Sequence, residues 1–360
     1  MVKIGEERMS LYDNNDYMED VRRTAGPGLP WERLENKAVL ISGATGLVGS
    51  FLIDVLLERN EQYGMNCRIY ALGRSEEKAR ARFGARSSHP LFSFIPYDIN
   101  LPFVRNDIGK VDFVLHLASN THPMQYSTDP IGTITTNIIG LQNMLEFACA
   151  HGAERFAFAS SNEIYGENRG DIELFGEEYC GYIDCNTLRA GYPESKRCGE
   201  ALCQAYRKQK GIDVCIPRLT RSYGPTMLMT DTKAISQFIR KGIAGEDIVL
   251  KSAGTQFYSY TYVADAVSGL LTVLLKGESG EAYNIADEAS DMQLRDLAAL
   301  IAENAGTKVV FEIPDAVEAQ GYSKATKARL DGSKLKALGW QPAYDLRSGI
   351  KRTMDILKQN

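Results

Sequence analysis

Past residue 36 the chain alternates between short apolar runs and longer stretches in which apolar residues recur every three or four positions. The runs Ala38–Ser42, Arg68–Leu72, Phe92–Pro96, Phe113–Leu117, Phe156–Ser160 and Val214–Leu219 have the length and the β-branched or aromatic content of buried strands. Between them, Leu47–Arg59, Glu76–Arg82, Ile131–His151 and Tyr192–Lys210 carry the helical period. Strands separated by helices predict an α/β fold: a doubly wound parallel sheet with right-handed crossovers, covered by helices on both faces. Upstream, residues 1–35 are mostly polar and end in the breaker-rich Ala25-Gly26-Pro27-Gly28-Leu29-Pro30, which predicts an arm with one short helix. After about Gly224 the alternation becomes irregular. A Met- and Thr-rich loop, a helix over Lys233–Gly242 and then short mixed elements predict a smaller C-terminal α/β domain.

The junction of the first strand with the first helix, Ser42-Gly43-Ala44-Thr45-Gly46-Leu47-Val48-Gly49, is the most informative stretch. Gly43 permits a tight turn, Gly46 lets backbone approach a pyrophosphate, and Gly49 lets the new helix pack near the strand. The N–H groups of Thr45, Leu47 and Val48 then face the anion. The pattern predicts a dinucleotide-binding Rossmann domain over 36–223, preceded by an N-terminal arm (1–35). Residues 224–360 are expected to bind mainly substrate, with short returns to the first domain. Ligands of such sheets sit outside the carboxyl ends of the strands, so the loops after Ser42, Leu72, Pro96, Leu117 and Ser160 should line the site.

Those loops carry recognisable chemistry. The second strand ends Gly73-Arg74 where a carboxylate would hold the ribose of NAD; Arg74 suits the 2′-phosphate of NADP, although Glu76 or Glu77 is near enough for a ribose hydroxyl. Asp98 and Ile99 follow the third strand as adenine contacts, or as a plain turn. Leu117, Ala118 and Ser119 follow the fourth as further cofactor neighbours. The fifth strand leads into Ser160-Ser161-Asn162-Glu163, bringing Ser161 and Glu163 to the same sheet end. Tyr192 and Lys196, four apart at the start of the next helix, share one face. In a chain with 18 tyrosines such a spacing alone means little; its position after a glycine cradle and a strand-ending serine gives it weight. A phenol of pKa near 10 is a poor base at neutral pH, and a nearby ammonium and an oxidised nicotinamide would both lower it.

Composition narrows the partners. At 360 residues the chain holds one large or two ordinary domains, and a net charge of −5 without a concentrated basic face opposes nucleic-acid or anionic-membrane binding. No apolar run approaches the roughly 20 residues of a membrane span, and the N-terminus lacks an apolar core of the secretory kind, so a cytoplasmic protein is expected. Seven cysteines without paired CxxC spacing predict reduced, mostly buried thiols and no structural zinc. His116 and His122 read as packing or loop residues, and no metal site is expected.

The chain resembles the extended short-chain dehydrogenase/reductase family in its branch of nucleotide-sugar epimerases, dehydratases and decarboxylases. The segments His116–Gly140, Ser161–Glu167, Cys180–Arg197 and Tyr223–Ile239 look most like UDP-glucuronate decarboxylases. The resemblance implies NAD as cofactor, a nucleotide sugar as substrate, and a reaction through a transient 4-keto intermediate. By it Ser161, Tyr192 and Lys196 are catalytic and Glu163 is an acidic helper. Asn162, Arg221 and Tyr258 fall at substrate positions. A homodimer through the helices at 131–151 and 192–210 is implied as well.

Four positions depart from that pattern: Gly73 for the cofactor carboxylate, Arg221 for a substrate Asn, Thr226 for an Arg after Gly-Pro, and Tyr258 for a diphosphate-binding Arg. Lost cations leave anionic charge unpaired unless others replace them, and Arg221, Lys324, Lys327 and Arg329 are the candidates. An NADPH-consuming keto-sugar reductase and a non-catalytic NAD(P)-binding protein stay open as alternatives.

Overall fold

The computed structural model describes residues 10–105, 107–121, 123–312 and 326–360. The strands are β1 (Ala38–Ser42), β2 (Arg68–Gly73), β3 (Phe92–Pro96), β4 (Phe113–His116), β5 (Arg155–Phe158), β6 (Ser160–Ser161), β7 (Asp213–Leu219), β8 (Arg221–Tyr223), β9 (Ile248–Leu250), β10 (Phe257–Tyr262), β11 (Ala282–Ile285), β12 (Asp291–Gln293), β13 (Val309–Phe311) and β14 (Lys327–Ala328). The helices are α1 (Asn15–Thr24), α2 (Leu47–Tyr63), α3 (Glu76–Phe83), α4 (Pro123–Thr128), α5 (Pro130–Ala150), α6 (Gly191–Lys210), α7 (Ala234–Ile243), α8 (Val263–Lys276), α9 (Leu294–Ala305), α10 (Ser333–Ala337) and α11 (Leu346–Gln359).

The main sheet runs β11-β7-β5-β4-β1-β2-β3, every pair parallel, with β6 beside β7. The predicted doubly wound sheet is therefore the observed one. Its strands read as near-continuous apolar runs because both faces are covered; Val39, Leu40 and Ile41 of β1 are all buried. The expected strand over Phe156–Ser160 is divided instead: Ala159 takes no strand pairing, and β6 resumes the ladder at Ser160. Beyond β7 the chain builds a second sheet, β12-β10-β14, with β8 also on β10. It then returns to the main sheet through α8 and β11, since β11 pairs with β7.

Residues 10–35 pack against the rest of the chain through α1. The signal of this packing was an aspartate in the apolar part of α2: Asp54 is fully buried, accepts from Tyr12 at 2.8 Å and from Tyr17, and pairs with Arg82 of α3. Arg82 in turn donates to Tyr17 at 2.7 Å. At the other end of α1, buried Asp20 accepts from Tyr262 at 2.6 Å and from Tyr344, and lies 2.7 Å from Arg352. The segment thus ties α2 to β10 and α11. The thiols differ from expectation: Cys67, Cys203 and Cys215 are buried, but Cys180, Cys185 and Cys198 are exposed, because they fall on a long loop and on the outer face of α6. Among the described residues no helix is long and apolar enough to cross a membrane, and no group of His, Cys, Asp and Glu could hold a metal.

Removing the Asp54 carboxylate leaves Arg82 buried without its counter-ion. Asp54→Ala should lower unfolding stability by about 3 kcal/mol, read from urea denaturation midpoints. A loss under about 1 kcal/mol would show that the aspartate does not anchor the N-terminal segment.

Candidate active site

The glycine turn is held by steric contact. Gly43 has φ +73°, and a Cβ there would lie 2.8 Å from the backbone of Leu117 and Ala118 at the end of β4. A Cβ on Gly49 would stand 2.4 Å from the Gly43 carbonyl oxygen. Gly46 differs: a Cβ there meets just the Gly43 oxygen, at 3.3 Å, so the space above it is open. No side chain caps α2, and its first-turn N–H groups, at Leu47, Val48 and Gly49, have no intrahelical acceptor. Thr45, Gly46, Leu47 and Val48 are partly exposed. The cradle therefore fits a dinucleotide pyrophosphate: open space, uncapped amides and the positive end of a helix dipole coincide.

Other predicted cofactor residues ring this turn. A Cβ on Gly73 would lie 3.1 Å from the Phe94 ring, which fills the place of a longer side chain. Arg74 is exposed and makes no hydrogen bond or ion pair among the described residues, whereas Glu76 is taken by Arg80 at 2.8 Å. Asp98 closes a turn on the Asn100 amide at 3.0 Å, and Ile99 is buried against Gly140 of α5. Ser42 Oγ, accepting from the Ala118 amide at 3.3 Å, lies 2.9 Å from His116 Nδ1. Burial, with the Lys196 charge adding to it, pushes the His116 imidazole down to about 3, so it packs as a neutral ring against Phe156 and Phe158. His122 lies outside the described residues.

Ser161, Glu163, Tyr192 and Lys196 gather at the carboxyl end of β5 and β6. Ser161 accepts from the Glu163 amide at 3.2 Å, which orients the short turn that carries Asn162 and Glu163. Asn162 is buried. Burial holds the Tyr192 phenol above its ordinary value, and the Glu163 charge adds to this; the Ser161 hydroxyl and the Arg189 charge pull the other way. Lys196 Nζ donates to the Ala159 carbonyl at 2.8 Å and lies 4.7 Å from the Phe158 ring centroid and 5.9 Å from that of Tyr192. Burial brings this ammonium down to about 7, with Glu200 opposing. Arg189 is a second cation acting on Tyr192 in this cluster.

Several site residues escaped the sequence reading. Arg189 pairs with Glu163 at 2.7 Å and lies 4.8 Å over the ring of Tyr126, which stacks on Tyr192 at 4.9 Å and 22°. Asn137, in the middle of α5, accepts from Ser119 at 2.7 Å and donates to Ser195 at 2.8 Å; Ser195 donates to the Tyr192 carbonyl at 2.8 Å. This chain locks the loop after β4 to the first turn of α6. From the segment just before α7, Lys233 reaches Thr121 at 3.3 Å and Asp231 at 3.0 Å. Thr226 is buried and donates to the Leu47 carbonyl at 2.8 Å, so it faces α2.

The predicted phosphate cations separate onto two faces of β10. Arg221 of β8 stands opposite Tyr260, and its guanidinium lies 3.5 Å over the Tyr258 ring. Arg221 Nη1 and the Tyr260 hydroxyl are buried without a hydrogen-bond partner among the described residues. Lys327 is opposite Phe257, hence on the other face, where Arg329 is bound by Asp291 at 2.7 Å. Lys324 lies outside the described residues.

The profile of the NAD dependent epimerase/dehydratase family matches residues 39–286. The chain belongs to that family. Among curated relatives it is 34% identical over 318 residues to UDP-glucuronic acid decarboxylase 5 of Arabidopsis thaliana, covering 88% of this chain and 87% of that protein. It is 32% identical to UDP-glucuronic acid decarboxylase 1 of Xenopus tropicalis, over 90% and 73% of the two chains. The fold matches a dTDP-glucose 4,6-dehydratase from Streptomyces venezuelae, solved with NAD bound, at TM-score 0.78 and 24% identity over 89% and 97% of the chains. It also matches a UDP-glucuronic acid 4-epimerase from Bacillus cereus, in complex with UDP-glucuronic acid and NAD, at TM-score 0.74 and 23% identity over 89% and 99%. The family's sheet is the one predicted from the alternation of strands and helices.

In this family member the buried lysine has a thermodynamic signature. Lys196 titrates near 7 folded and near 10.5 unfolded, so between those values the unfolded chain binds the extra proton and stability rises with pH. Urea denaturation of the cofactor-free protein at pH 7 and pH 9 should show a gain for wild type that Lys196→Met lacks. Equal pH responses in the two proteins would contradict the burial of this amine.

Proposed function

We propose that this protein modifies a nucleotide-activated sugar through a transient C4 ketone, in the manner of UDP-glucuronate decarboxylases or of the related epimerases and dehydratases. The observation that carries the reading is the cluster of Tyr192, Ser161, Ser119 and Glu163 at the sheet end that also bears the open glycine cradle. Gly43, Thr45, Gly46, Leu47, Val48 and Gly49 would hold the dinucleotide pyrophosphate, with Asp98, Ile99, Leu117, Ala118 and Ser119 along its length. When bound there, the nicotinamide supplies a reversible hydride acceptor.

Tyr192 takes the proton of the C4 hydroxyl, and Ser161 holds the same oxygen. Lys196 fixes the ring's surroundings from the Ala159 carbonyl and supplies charge whenever it is protonated. A ketone at C4 acidifies C5, or makes a C5 carboxylate labile, and Glu163 is the acid–base group at hand for the second step. Residues 36–223 serve the dinucleotide and 224–360 mainly the sugar nucleotide, with α8 and β11 returning to the first domain. Arg74, exposed beside an acid-free Gly73, favours NADP over the NAD of the structural neighbours and supports a second reading, an NADPH-consuming keto-sugar reductase. The exposed Ile131, Ile134 and Ile139 on α5, which packs on α6, support a homodimer, and we place the protein in the cytoplasm.

Incubation with UDP-, dTDP-, CDP- and GDP-sugars, followed by product mass spectrometry and nicotinamide absorbance, tests the reading. Loss of carbon dioxide, loss of water or an isobaric epimer without lasting absorbance change is expected. Stoichiometric loss of NADPH favours the reductase, and no product from any sugar contradicts the enzymatic account.

Arg221, stacked on Tyr258 with Tyr260 beside it, replaces the diphosphate cation that position 258 lacks. Arg221→Ala should weaken nucleotide-sugar binding about tenfold or more, while Lys327→Ala stays within about twofold, by calorimetry. Unchanged affinity in Arg221→Ala would remove this clamp.

A further inference from the structure

One cation of the crevice has hydrogen-bond donors that the roles above do not use. Arg189 stands in the turn ahead of α6, and a single nitrogen, Nη2, makes both contacts to Glu163, at 2.8 Å to Oε1 and 2.7 Å to Oε2. Its Nε and Nη1 have no hydrogen-bond partner among the described residues, and 31% of the side chain is exposed. The guanidinium cannot swing far: it lies over Tyr126, and Tyr126 lies on Tyr192, so its unused donors are fixed two ring layers from the phenol.

The surrounding charges are already matched. Glu163 is paired with Arg189, Asp231 lies 3.0 Å from Lys233, and Lys196 is turned to the Ala159 carbonyl. A neutral sugar would leave this balance intact and the free edge of Arg189 facing water. A sugar carboxylate brought beside Glu163 would meet like charge unless a cation with spare donors faced it. Thr226, at the position where the family resemblance has an Arg, cannot serve, because its hydroxyl is committed to the Leu47 carbonyl. A planar guanidinium has five donors, enough to bind two carboxylates at once.

We propose that Arg189 is the specificity-determining cation of this site, holding Glu163 with Nη2 and taking a sugar carboxylate at C6 with Nη1 and Nε. The assignment rests on the nucleotide-sugar reading, and it moves carboxylate recognition from position 226 to the turn before α6. It sets the chain's preference for uronates over neutral sugars while leaving the nucleotide end to other residues.

Calorimetric titration of the full chain, with NAD present, against UDP, UDP-glucose and UDP-glucuronate tests it. Wild type should bind UDP-glucuronate more tightly than UDP-glucose. Arg189→Met should weaken UDP-glucuronate about tenfold or more while UDP and UDP-glucose stay within about twofold, which also shows that the variant is folded. Arg189→Lys, keeping the charge without the fork, should recover part of the loss, and Glu163→Gln should bind UDP-glucuronate at least as well as wild type. Equal losses for both sugars in Arg189→Met, no loss at all, or a selective loss in Lys233→Met instead would overturn the assignment. Failure of wild type to bind any of the three ligands would remove the underlying nucleotide-sugar reading and the assignment with it.

Discussion

A phenol buried as deeply as Tyr192 does not ionise unaided, because removing a charge from water disfavours the anion. The crevice is organised around that constraint. Burial excludes competing water and Tyr126 stacks on the ring; the Ser161 hydroxyl then supplies a hydrogen bond that favours the anion, and Arg189 supplies positive charge. Glu163 works against ionisation, and its pairing with Arg189 offsets part of that effect. The oxidised ring of a bound dinucleotide would add a further positive charge and favour the phenolate further.

The backbone that holds this arrangement is over-determined by contacts of two kinds. The turn after β1 presses on Leu117 and Ala118 so closely that no Cβ fits at Gly43, which fixes where the cradle ends and the loop to Ser119 begins. From Ser119 the hydrogen-bond chain through Asn137 and Ser195 reaches the first turn of α6, where Tyr192 sits. A shift in the cradle would therefore be passed to the phenol by direct contact. Thr226 on the Leu47 carbonyl and Lys233 on Thr121 bring the segment between β8 and α7 to the same two loops.

Sequence pattern revealed the sheet because parallel strands are buried on both faces and read as apolar runs, while their crossover helices keep the helical period. It revealed the glycine turn because close backbone approach excludes other residue types. Tyr126 and Arg189 were illegible for the opposite reason: they stand in a six-residue helix and a three-residue turn, too short to show a period, and their meaning comes from packing on Tyr192. Asn137 hid within the apolar α5, and Asp54 within α2, although an isolated polar residue on a buried helical face is a signal that a partner must exist. Among the phosphate candidates, strand register separated Arg221 from Lys327, and register is a property of pairing that one strand's sequence does not contain.

Tyr192 is buried as a neutral phenol, and a positively charged dinucleotide ring added beside it should make it ionisable. Ultraviolet difference titration of tyrosinate, wild type minus Tyr192→Phe, with and without NAD, tests this directly. NAD should move the titration of the tyrosine missing from the variant to distinctly lower pH; a titration of that residue unaffected by NAD, or already near its ordinary value without it, would rule out a phenol held neutral by burial and released by the cofactor's charge.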